Sequence, residues 1–170
     1  VTAGTAAALN KALADVSNLG KDALTLTVTG ATAAASDLIG LNAKTSVDVN
    51  ATAVNTVTGS LADLGTFYTA AADFTLNPTL NATVSGVVEI GDATDLQSLL
   101  TSTNITGKVT ATVVSSTAVA LVAALANKGA STDALTLNVF DDIVAGVVTA
   151  TGADDLIALD GQTSVKVKVD

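Results

Sequence analysis

Two pairs of adjacent carboxylates, Asp141-Asp142 and Asp154-Asp155, with Asp160 just beyond, are the densest chemistry-bearing side chains in the chain. Ca²⁺ takes several oxygen ligands at once, so Asp141, Asp142, Asp154 and Asp155 are the candidate metal ligands and Ca²⁺ the one cofactor they would hold. Neither the spacing of an EF-hand loop nor the glycine-rich nonapeptide of calcium-binding β-rolls accompanies them. The plainer reading sets Asp141-Asp142 in a solvated turn and Asp154-Asp155 at a helix N-terminus, where the helix dipole favours acids.

Other chemistry finds no residues to work with. Ser and Thr abound, but the chain has no His and no Cys, so a base-activated nucleophile is unavailable. No Lys sits in a Ser-x-x-Lys setting. The glycines are scattered singly, and no loop cradles phosphate. The expectation is a protein without catalysis. Thr-x-Thr pairs at Thr25/Thr27/Thr29, Thr56/Thr58, Thr110/Thr112 and Thr149/Thr151 could order water on a flat face and bind ice. Solvent-facing Thr in strands explains them equally well, and Asp48, Asn50, Lys166 and Lys168 interrupt the row. Sequons at Asn50, Asn81 and Asn104 decide nothing in so Asn- and Thr-rich a chain.

The net charge of -9 comes from fifteen Asp and one Glu against seven Lys, with no Arg. That balance excludes nucleic acid, whose phosphates need clustered cations. It gives a self-repelling surface that keeps β-rich protein dispersed. The longest apolar run, Ala118 to Ala126, is too short to span a bilayer, so no membrane insertion is expected. Of 170 residues 49% are hydrophobic but only 2% aromatic, which suits a thin interior of Ala, Val, Leu and Ile. With no disulfide to staple it, stability must come from packing.

The elements that must hold these residues are short and alternate in type. Six segments carry apolar groups at helical spacing: Leu9/Leu13/Val16, Leu38/Leu41, Leu61/Leu64/Tyr68, Leu96/Leu99/Leu100, Leu121/Val122/Leu125 and Leu156/Leu159. Ser60 before Asp63, Asp92 before Asp95 and Thr151 before Asp154 resemble helix starts. Between the helices run alternating, β-branched stretches: Leu24–Thr29, Ser46–Asn50, Val54–Thr58, Val84–Ile90, Val109–Val114, Leu135–Val139, Val147–Thr149 and Ser164–Val169. Pro78 suits a turn or strand entry.

The chain also repeats itself. Ala35–Val49 returns as Ala153–Val167 with nine identities in fifteen, and Asp22–Val28 returns as Asp133–Val139. Marker leucines average near thirty residues apart, a spacing typical of stacked helix-and-strand units. The predicted architecture is therefore α/β: an elongated solenoid of about six short-helix-plus-strand units with parallel stacked strands. The units are expected at about 1–30, 31–60, 61–91, 92–116, 117–151 and 152–170. Leu38, Val47, Val49, Leu64, Leu96, Val109, Leu121, Leu135, Leu137, Leu156, Val165 and Val167 are expected to face inward. The competing architecture is a compact α/β domain whose likenesses come from low sequence diversity.

The segments Ala35–Val49, Val54–Leu64 and Ala153–Val169, each a short Ala/Asp-Leu helix beside a Thr-Ser-Val or Val-Thr-Gly strand, resemble repeats in giant cell-surface adhesins of marine cyanobacterial type. The resemblance covers about half the chain. It implies an extracellular, array-forming structural module at a cell surface or matrix, joining neighbouring repeats or copies end to end, and it brings no catalytic residues. Thr69–Asn81 and Phe140–Thr151 depart from the pattern and are expected to be insertions. Neither end has the look of a capping unit, so the chain is expected to be an excerpt of a longer array. A Ca²⁺-binding surface module and an ice-binding solenoid are the alternatives.

Overall fold

The computed structural model describes residues 3–15, 21–126, 132–140, 143–144, 147–148 and 150–169. It forms two units: Val1–Thr83 with Ser102–Gly107, and Val84–Thr101 with Lys108–Asp170.

The first unit runs β1 (Ala3–Gly4), α1 (Ala6–Ala12), β2 (Thr27–Val28), β3 (Thr32–Ala34), α2 (Ala35–Asn42), β4 (Val49–Ala51), β5 (Thr56–Gly59), α3 (Leu61–Thr69), a 3-10 turn (Ala71–Asp73), β6 (Phe74–Leu76) and the start of β7 (Asn81–Val88). A helix lies between the members of each paired set of strands, the crossover that a parallel pairing needs. In the sheet β1-β2-β4-β6 every pair is parallel: Ala3 stands opposite Thr27, Thr27 opposite Asn50, and Val49 opposite Phe74. A second parallel pair sets Thr32 of β3 opposite Thr56 of β5, and Asn81 N donates to Asn55 O (2.9 Å) at the start of β7. The residues that meet across these ladders lie 23 to 25 positions apart in the chain. Between strands and helices Leu9, Val28, Leu38, Leu41, Val49, Ala51, Leu64 and Phe67 are wholly buried. Small strand residues such as Ala33 and Ala51 keep that interior thin.

Two helices of this unit start as their sequences require. Thr5 Oγ1 accepts from Ala8 N (3.3 Å). Ser60 Oγ accepts from Asp63 N (3.1 Å), the side-chain cap its spacing predicts, and donates to Asp63 Oδ2 (2.8 Å). Pro78 sits in the turn that precedes β7. Gly107 is held there by closeness rather than by φ: an added Cβ would lie 2.8 Å from both Leu80 O and Thr79 O.

The second unit holds the rest of β7, a 3-10 turn (Ile90–Asp92), α4 (Ala93–Leu100), β8 (Val109–Val113), α5 (Ala118–Ala124), β9 (Ala134–Thr136), β10 (Asn138–Val139), β11 (Ile143–Val144), β12 (Val147–Val148), α6 (Ala150–Asp160) and β13 (Lys168–Val169). β8 pairs in parallel with β9, and β10 with β13. Leu96, Leu99, Leu121, Leu125, Leu135, Leu137, Val139 and Leu159 form its core.

The protein is thus α/β with parallel sheets and six helices among its described residues. Several expectations need correcting. β11 and β12 form an antiparallel pair inside Phe140–Thr151, against the all-parallel pattern. Thr69–Asn81 is no insertion, because it supplies β6, which pairs with β4. Val47 is 39% exposed, since β4 begins only at Val49 and a bend at residues 46–47, just after the bridge between Thr45 and Asp22, breaks the alternation. Leu156, Val165 and Val167 are only half-buried. α3 buries Leu64 and Phe67, leaving Leu61 and Tyr68 at the margin. Asp92 precedes α4 without capping it through its side chain, and Thr151 lies inside α6. Val16 lies outside the described residues.

Candidate functional site

The four candidate metal ligands do not converge among the described residues. Asp141 and Asp142 lie outside them. Asp154 and Asp155 fall in the second turn of α6, because that helix begins at Ala150. They are therefore past the terminal amides that would have favoured them. Asp154 points to solvent and Asp155 is half-buried. No group of three or more His, Cys, Asp or Glu gathers among the described residues. The widest outward Thr row in the first unit reads Thr27, Asn50, Thr75, so an amide breaks it.

What the echoed segments build is a hydrogen-bonded clip. Thr45, 1% exposed, turns its hydroxyl onto the backbone of Leu24: Oγ1 accepts from Leu24 N (3.1 Å) and donates to Leu24 O (2.7 Å). The same oxygen accepts from Val47 N (3.0 Å), while Ser46 N donates to Asp22 O (2.9 Å). In the later segment Thr163 does the same at Leu135, with bonds of 2.9 Å from its N and 2.7 Å to its O. Val165 N again meets the Thr hydroxyl (3.1 Å), and Ser164 N again reaches Asp133 O (2.7 Å). The two sequence echoes are the two halves of one clip: Asp-x-Leu supplies the backbone and Thr-Ser-Val the hydroxyl.

The correspondence continues through the neighbouring ladder. Asn50 N donates to Leu26 O (2.9 Å) where Lys168 N donates to Leu137 O (3.0 Å). Thr29 N meets Gly4 O where Phe140 N meets Ser116 O, both at 3.0 Å. These bonds reveal a third echo that the sequence reading missed, Thr5–Leu13 with Thr117–Leu125, where six of nine residues are identical. Thr117 caps α5 through Ala120 N (3.2 Å) as Thr5 caps α1. In an Ala-rich chain that likeness stands out too little to be noticed alone.

One difference between the echoes explains the most unusual carboxylate. On α1, Asn10 Nδ2 donates to Asp37 O (2.7 Å) and to Asp37 Oδ1 (3.1 Å). Gly40 makes room for it, since a Cβ there would lie 2.9 Å from Asn10 Oδ1. The counterparts are Val122, Asp155 and Ala158. Val122 has no side-chain N–H, and Asp155 Oδ2 is buried with no hydrogen-bond partner among the described residues. The double substitution Val122→Asn/Ala158→Gly is expected to stabilise the protein by about 1 kcal/mol. A bond to a carboxylate is worth ~1.5–3 kcal/mol, and Gly within a helix costs ~1 kcal/mol. Val122→Asn alone should give none of this, because Ala158 blocks the amide. Urea unfolding of the four chains of the cycle reads the coupling.

Two depressions lie near these clips. One of about 40 Å³, bordered by Lys21, Asn42, Asp48 and Asp73, belongs to the first unit. Within it Asn42 Nδ2 donates to Asp73 Oδ2 (2.8 Å). The other, shallow and about 320 Å³, lies in the second unit among Leu156, Ile157, Asp160, Val167 and Val169. Its lining is mainly apolar, and Ile157 is 71% exposed. No helix among the described residues is long and apolar enough to cross a membrane. The chain matches no protein-family model, no curated protein and no solved structure.

Proposed function

We propose that the chain is a structural module of an extracellular bacterial surface array, with short helix-and-strand units stacked into a solenoid and no catalysis. The observation that carries this reading is the clip made twice with the same bonds, by Thr45 on Leu24 and by Thr163 on Leu135. Parallel ladders that advance by 23 to 25 residues in the first unit support a chain that lays like segments upon one another. An exterior of Asp, Asn and Thr with net charge -9 suits a long array that must not clump. The resemblance of Ala35–Val49, Val54–Leu64 and Ala153–Val169 to giant surface adhesins points the same way.

The test is to lengthen the stack. Thr32 pairs with Thr56, so residues 32–55 are one step of the ladder, and a tandem duplication of them adds one more. A stacked array accepts the block: helix and strand content rise, the urea midpoint does not fall, and the m-value grows with the added surface. A duplicated chain that aggregates or unfolds overturns the stacking. Ca²⁺ titration of chelator-treated protein is expected to leave the melting temperature unchanged. A saturable isotherm with a raised melting temperature would instead make this a cation-binding module acting through Asp141, Asp142, Asp154 or Asp155.

A further inference from the structure

The echoed segments share their residues but not their surroundings. In the first, Leu38, Leu41 and Val49 are wholly buried. α3 packs on α2 there, and β6 pairs with β4 so that Phe74 stands opposite Val49. In the second, the counterparts of Leu38 and Val49 are Leu156 and Val167, and both are half-buried. Ile157 is 71% exposed and Val169 38% exposed, and β13 is an edge strand paired only with β10 among the described residues. α2 has α1 and α3 against it and β4 lies between β2 and β6, whereas among the described residues α6 has α5 and β13 has β10, so each lacks the second neighbour that its counterpart has.

The first unit offers a helix and a strand of this kind. β1 is the edge of its sheet, and it leads through Thr5 into α1. Ala8 and Ala12 are exposed on α1, on the side away from the Asn10 that reaches α2. The counterpart of Ala12 is Ala124, which is half-buried and whose carbonyl accepts from Gln97 of α4. Small residues on α1 let a second helix approach closely, and exposed Lys11 carries the charge opposite to exposed Asp154 and Asp160.

We propose that Leu156, Ile157, Val167 and Val169 form a docking surface for α1 and β1 of a second copy of this chain, joined head to tail. The proposal rests on the stacked reading above and names the surface through which the stack continues. Such an interface is heterologous, so each copy keeps a free face after pairing and association runs past the dimer, into a ring or an open chain of copies. An apolar face meeting a small-residue helix gives the contact its energy, and Lys11 against the α6 carboxylates selects its orientation.

Sedimentation velocity of the whole chain over a concentration series tests it. Wild-type protein is expected to grow in mass with concentration. Ile157→Asp and Ala8→Asp each alter one face at an exposed position, and each alone is expected to stay monomeric, weakening association at least about tenfold. Mixed one to one, the two variants should form a dimer and go no further, because each keeps one intact face. Unchanged melting curves of the single variants show that the fold is intact. Wild type that sediments as a monomer throughout overturns the proposal, as does an Ala8→Asp chain that associates like wild type. Failure here beside a tolerated duplication of residues 32–55 removes the docking surface and leaves the stacking in place. Failure of the duplication removes the stacking itself.

Discussion

Replacing Thr163 by Val is expected to cost about 3 kcal/mol, and replacing Thr45 by Val about 2 kcal/mol, although the side chains are nearly the same shape. The loss is one oxygen. Thr163 Oγ1 takes Leu135 N, gives to Leu135 O and takes Val165 N, and Leu135 is wholly buried. A methyl group in its place leaves those backbone groups facing apolar surface. An unpaired buried polar group costs ~1–3 kcal/mol. Thr45 costs less because Leu24 is only half-buried and Leu24 N also reaches Asp22 O (2.9 Å). Thr→Ser at either position keeps the oxygen and removes one buried methyl group, about 0.8 kcal/mol. Urea unfolding gives the ranking: a midpoint lowered in the order Thr163→Val, Thr45→Val, Thr→Ser, at constant m-value. Faster amide exchange at Leu135 and Val165 in Thr163→Val localises the loss to the clip. Equal stability of the Val and Ser variants would refute the clip.

The same Thr shows why part of the molecule was legible and part was not. Helices declared themselves through Leu at three- and four-residue spacing, and Leu38, Leu64, Leu96 and Leu121 are all buried. The Ser60 cap was readable because its bonds are local, running only to Asp63. Thr45 and Thr163 bond to residues 21 and 28 positions earlier, and no periodicity announces such a partner. The signal that did exist was the repeated Thr-Ser-Val itself. Thr-Ser-Val reads as strand text, and alternation then places Val47 inside, because it presumes that the strand is already under way. Asp155 illustrates the opposite limit. Its neighbour Asp154 makes it look like half of a cation site, whereas what sets it apart from Asp37 is Val122 standing where Asn10 stands earlier, which leaves Oδ2 without a partner among the described residues.

Phe67→Ala is expected to be the most costly single truncation in the first unit, at about 4 kcal/mol. Helical spacing from Leu61 and Leu64 pointed to Tyr68 as the next core residue, but Phe67 is the one wholly buried. Its ring meets Phe74 edge-on, with centroids 5.2 Å apart and planes at 61°. Truncating a buried Phe typically costs ~3–5 kcal/mol, and the spread depends on how far the surroundings collapse into the space. Collapse is limited here. The interior is mostly Ala, Val and Leu on fixed helices and ladders, and the chain has only three Phe and one Tyr in all. Phe74 cannot swing in to fill the gap without leaving β6, where it holds the register opposite Val49. Phe67→Leu keeps most of the volume and should cost under about 1.5 kcal/mol. A double-mutant cycle with Phe74→Ala should return a coupling of about 1 kcal/mol, the increment an edge-to-face pair adds beyond its buried area. A Phe67→Ala chain within about 1 kcal/mol of wild type in urea unfolding would mean that this end of α3 is not packed as described. The burial of Val49 beside β6 would then have to be explained without it.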